Sequence, residues 1–184
     1  GARARMGVLA EDLGPGPVGR FDHGNSLVVD LASGTLESVT DLALFRGANA
    51  LALETGPGLW EIIQAGTAEL IAPSRYRLTR LLRGQRGTEH AMGNPTPAGA
   101  RIVLLDATLA RLPIPLGDLG LPWLWRVGPA ALPFTDASFA AAEFTPKGAG
   151  LRPFAVAQVE DPGLRGRVPG DLQVEYYRQR ASAG

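Results

Sequence analysis

The chain contains no cysteine, a single lysine, two histidines and two methionines in 184 residues. Without cysteine it has neither disulfides nor thiolate metal ligands. No apolar run approaches the ~20 residues that a membrane-spanning helix needs. The opening stretch GARARMGVLAEDLGPGP reaches polar, glycine and proline residues too soon for a signal peptide. Excess charge of either sign is missing too: Lys+Arg of 18 balances Asp+Glu of 18. No global field therefore draws the chain to nucleic acid or an anionic membrane. No P-loop, dinucleotide fingerprint, G-x-S-x-G elbow or H-E-x-x-H helix is present. His90 beside Glu89 reads as a loop ion pair, and Asp22-His23 lacks the serine that a triad would need. No cofactor is expected.

What is present is arginine, glycine and proline. Lys147 is the only lysine, so nearly all positive charge is guanidinium. Genome base composition accounts for that most simply, and the suitability of arginine's planar fork for interfacial carboxylates is the sharper reading. The 24 glycines and 15 prolines fall between short apolar runs, which argues for many short strands joined by turns. The expected class is mainly β: short antiparallel strands in a barrel- or sandwich-like domain, followed by a smaller β-rich segment. Residues 1–19 read as an N-terminal linker, 20–112 as the β-rich domain, 113–122 as a linker and 123–184 as the smaller segment.

Within the main domain, Ser26–Ala32, Ala50–Glu54, Leu59–Gln64, Ala68–Ala72, Arg75–Arg83 and Ala100–Leu105 are strand candidates. Asp106–Arg111 reads as a short helix with Asp106 as N-cap. Thr35–Phe45 alternates only in part. In the second half the candidates are Trp123–Val127, Phe139–Phe144, Phe154–Val159 and Asp171–Tyr177.

The most specific stretch is Glu69–Glu89, ELIAPSRYRLTRLLRGQRGTE. It reads as strand, tight turn and strand, then a double-glycine corner, with Arg75, Arg77, Arg80, Arg83 and Arg86 packed into it. Alternation places Tyr76, Leu78 and Leu82 on the core face with Arg80 among them. An inward guanidinium needs a carboxylate, and Glu61 and Glu69 are the expected partners. The competing reading puts Arg80 near a sheet edge, snorkelling to water. A helix over Leu78, Leu81 and Leu82 also competes, but strand is preferred. Gly84 and Gly87 are expected at positive φ. Trp123 and Trp125 share a strand face and read as core anchors at a domain junction. A sugar-stacking platform joined by Trp60 is the alternative.

This stretch resembles a signature of the large tail-tip proteins of siphophage-like particles, including the host-specificity protein of lambda-like phages and the very large tail protein of gene transfer agents. FRGANALALE, PAGARIVLLD, WRVGPA and GLRPFAVAQV also resemble segments of the gene-transfer-agent branch, from about His23 to Val159. Arg83, Gly84, Arg86, Gly87, Thr88 and Glu89 match its recurring corner position by position. The resemblance implies a structural role without catalysis, in a hub that closes the tail channel and engages the host envelope. It implies partners among other tail proteins and copies of the chain itself, typically trimeric. Host envelope glycan is a further expected partner, and DNA would be met only in transit. The expected location is the tail of a phage-like particle, after synthesis in the bacterial cytoplasm. The absence of an initiating Met, with the much greater length of such tail proteins, makes the chain read as a slice of a longer one.

Overall fold

The computed structural model describes residues 3–110, 112–148 and 151. Six antiparallel strands close into a barrel in the order β1-β2-β5-β4-β3-β6. They are β1 (Met6–Leu9), β2 (Leu27–Leu31), β3 (Ala50–Gly56), β4 (Leu59–Ala72), β5 (Arg75–Leu82) and β6 (Arg101–Leu104). A separate two-stranded ribbon pairs β7 (Trp123–Val127) with β8 (Ala140–Phe144). The strand candidates Phe154–Val159 and Asp171–Tyr177 lie outside the described residues.

Alternation builds the core. Leu27, Val29 and Leu31 of β2, Leu51 and Leu53 of β3, Ile63 and Ala65 of β4, Tyr76 and Leu78 of β5, and Ile102 and Leu104 of β6 form one buried cluster. Each strand thus sends every second side chain inward, as the pleat requires. Burying each of the larger aliphatic side chains contributes about 1.5–3 kcal/mol. Glu61 shares the inward phase of Ile63 and Ala65, so the pattern that makes the core also drives a carboxylate into it.

Three sequence expectations are corrected, and one stretch that alternated only in part takes a definite form. Residues 1–19 are not simply a linker: β1 pairs with both β2 and β6 and closes the barrel, and Leu13 joins the core. Leu59–Gln64 and Ala68–Ala72 are not two strands but parts of one 14-residue strand. Residues 41–45 form a single helical turn, α1 (Asp41–Phe45), with Thr40 as N-cap accepting from the Ala43 N–H. Its last turn is tied down by Gln64, whose amide donates to the Leu44 and Ala48 carbonyls. Asp106 starts no helix; its carboxylate accepts from the backbone and hydroxyl of Thr108 in a tight turn, a local bond that competes with helix.

Candidate functional site

The end of β5 and the corner that follows carry the densest polar structure in the barrel. Arg83 and Glu61 are 0% exposed and Asp22 is 2% exposed. Arg83 Nε and Nη2 donate to the two Glu61 oxygens at 2.8 and 3.0 Å, a bidentate fork. Arg83 Nη1 donates to the Gly14 carbonyl at 3.0 Å and reaches an Asp22 oxygen at 3.5 Å. The Gly84 N–H adds a third donor to Glu61. One guanidinium therefore fastens β4, the end of β5 and the segment before β2 together.

Two carboxylates against one arginine leave a negative charge over, and the loop answers it. Asp22 accepts from the N–H groups of Gly24 and Asn25 and from the Asn25 amide. Burial pushes the Asp22 carboxyl up, but these bonds, led by the Asn25 side chain, outweigh it together with Arg83. The net result lies below the ordinary 3.8. Both acids are consumed in holding Arg83: Glu61 is fully enclosed, and Asp22, which borders an open depression, is itself only 2% exposed. Among the described residues no cluster of His, Asp or Glu is placed to hold a metal ion.

The corner after Arg83 is wound by left-handed residues: Gly84 at φ 58°, Arg86 at φ 57° and Gly87 at φ 77°. A Cβ on Gly84 would stand 2.7 Å from the Glu89 Cα, so glycine is required there twice over. Thr88 is buried. Its hydroxyl donates to the Gln85 carbonyl and accepts from the Ile62 N–H, pinning the corner to β4.

The arginines singled out from sequence do not form one patch. Arg75 forks onto Asp30 of β2, and this bond holds the Asp30 carboxyl below its ordinary value. Arg77 lies 3.8 Å from Glu69, both exposed. Arg80 does not meet Glu61 or Glu69. It donates to Asp41 of α1 at 2.6 Å, and its guanidinium stands 5.7 Å from the Phe21 ring centroid. Its side chain is 34% exposed, yet its Nε is buried without a hydrogen-bond partner, so it is neither the enclosed ion pair nor a freely water-facing cation.

The reason is backbone. Arg80 adopts φ 55°, which shifts the phase of β5, so Leu81 rather than Leu82 joins the core cluster. The inward guanidinium becomes that of Arg83. Gly66 of β4 makes room for this, because a Cβ there would fall on the Arg80 guanidinium. Arg86 is exposed, with no ion pair among the described residues, and Glu89 packs its backbone against Gly84. Sequence reading missed Asp22, Asp30 and Asp41 as partners. The Asp22-x-x-Asn25 spacing, suited to an Asx-type turn, was the one local signal for the first.

Trp123 and Trp125 stack on each other at 5.3 Å and 18°. Trp60 joins neither: it faces Arg101 at 5.7 Å, and Arg101 forks onto Glu54.

A family model described as Rcc01698-like, C-terminal, matches residues 4–103. The chain belongs to that family. Its matched span runs from just before β1 into β6, so the unit that defines the Rcc01698-like C-terminal family here is the closed barrel. The family is associated with gene transfer agent proteins. No curated protein matches the chain. Among the described residues no helix is long and apolar enough to cross a membrane.

Proposed function

We propose that this barrel is a structural block of the tail tip of a phage-like, gene-transfer-agent particle, helping to assemble the hub, close the tail channel and engage the host envelope. Its partners are other tail proteins and further copies of the same chain, in a trimer. The carrying observation is that the family match coincides with the barrel. The buried Arg83–Glu61–Asp22 lock supports the reading, because it stiffens the barrel instead of facing a substrate. A fixed, fork-bonded ion pair suits a block that must hold one shape within an assembly.

The reading of a glycan-binding module rests on Trp123 and Trp125. It has less support, since Trp123 and Trp125 each give one ring face to the other, and Trp60 is engaged elsewhere. A cell-wall hydrolase would need a carboxylate pair flanking an open groove, whereas Asp22 and Glu61 close on Arg83.

The test is a deletion of the codons for residues 4–103 in the bacterium that encodes the chain, with particles counted by electron microscopy and gene transfer assayed. The expected result is particles with incomplete tails and lost transfer. Normal tails with normal transfer would defeat the proposal.

A further inference from the structure

The barrel pairs its arginines with acids almost throughout. Arg5, Arg75, Arg77, Arg80, Arg83 and Arg101 each reach a carboxylate. Arg3, Arg20, Arg46 and Arg86 do not, among the described residues, and all four are exposed. Three of them, Arg20, Arg46 and Arg86, gather about one aromatic cluster. Phe21 lies 5.9 Å from Phe45 and 5.8 Å from His23, centroid to centroid. Arg20 lines an open depression with Phe21 and His23. Arg46 follows Phe45 in the chain, and the Arg86 guanidinium lies beside Gly47.

Phe45 and Leu42, three apart on α1 and so on one face, are 65% and 62% exposed. Two non-glycine residues in left-handed backbone, Arg80 and Arg86, support this surface, and such strain concentrates where side chains must be aimed. The acids nearby are few and engaged: Asp22, which lines the same depression, is buried against Arg83, Asp41 is occupied by Arg80, and Glu89 is half-buried at the corner.

We propose that this face, with Arg20, Arg46 and Arg86 around Phe45, Phe21 and Leu42, is a docking surface for an acidic protein segment that carries an apolar anchor. Unpaired guanidinium groups want carboxylates, and exposed aromatic and aliphatic side chains framed by arginine have the make-up of a protein interface core. A nucleic-acid footprint would need a longer basic stripe and net positive charge, and the chain is neutral. The inference rests on the surface alone and does not depend on the tail reading.

The experiment pans a phage-displayed random 12-residue peptide library on the whole chain, with counter-selection on a triple variant, Arg20→Ala, Arg46→Ala and Arg86→Gly. Glycine is used at the last position because it tolerates the left-handed backbone. Enriched peptides are then titrated by calorimetry. The expected peptides combine Asp or Glu with a large apolar residue. They bind the triple variant at least ~10-fold more weakly, as expected when charge pairs are removed from an interface. Phe45→Ala, which leaves every arginine in place, serves as the second variant, with an expected loss of ~10-fold or more. Circular dichroism confirms that each variant is folded. No enrichment over the counter-selection, or peptides that bind wild type and variants alike, overturns the proposal. So does binding of a 20-nucleotide single strand that the triple variant loses, which would give the surface to nucleic acid.

Discussion

Replacing Arg83 by alanine leaves Glu61 at zero exposure with a single remaining donor, the Gly84 N–H. It also strips Asp22 of its cation and the Gly14 carbonyl of its donor. Breaking a buried pair from one side costs about 3–5 kcal/mol, because the surviving charge stays buried without compensation. Against a total stability of about 5–15 kcal/mol, that is at least about a fifth of what holds a domain folded. With a urea slope of about 2 kcal/mol per molar, the unfolding midpoint should fall by about 2 M. The assay is urea titration followed by far-UV circular dichroism. Arg83→Lys should lose less, about 2 kcal/mol, because a point charge keeps the attraction but not the fork. The double change Arg83→Met with Glu61→Leu should recover at least half of the alanine loss, since removing both charges removes the burial penalty. A loss below about 1 kcal/mol for Arg83→Ala would refute the reasoning and place the pair in a solvated setting.

Three other outcomes follow from the same structure. Gly84→Ala should destabilise by more than about 1–2 kcal/mol, the cost of left-handed backbone alone, because its Cβ also meets the Glu89 backbone; Gly58→Ala, with φ 69° and nothing within 4 Å, should show the backbone cost only, and thermal melts of both compare them. Arg80→Gly should be neutral or slightly stabilising, because it relieves φ 55° while giving up a part-exposed ion pair of about 0–1 kcal/mol; a large drop in melting temperature would count against the description of Arg80. Asp22, with its carboxyl below the ordinary 3.8, contributes stability that is present above that pH and lost as pH falls through the lower folded value. Urea midpoints measured downward from neutrality should therefore decline below pH 3.8 less steeply in Asp22→Asn than in wild type, and equal slopes would contradict the assignment.

How far the sequence disclosed this fold depends on the range of each signal. Glycine and proline spacing marked the turns at residues 47–49, 56–58 and 73–74, so the β-rich class and the arginine hairpin were readable. The positive φ of Gly84 and Gly87 was readable for the same local reason. Strand β1 was not, because four residues with one buried side chain carry almost no alternation. The inward arginine was misplaced by three positions, from 80 to 83, since a single left-handed residue breaks the period-two count. Nor could spacing reveal that Asp22 lies against Arg83 from 61 residues away. Such a partner is set by barrel closure. The aromatic cluster of Phe21 and Phe45 was hidden likewise, its members lying in a loop and on α1, far apart in the chain.

The most direct test of the proposed tail role is to see where the chain sits. Particles purified from the encoding bacterium, with an epitope tag on the chain and gold-labelled antibody, can be imaged by electron microscopy. Label confined to the tip of the tail is the expected result. Label on the capsid, or particles that carry none while the tagged chain remains in the lysate, would contradict it.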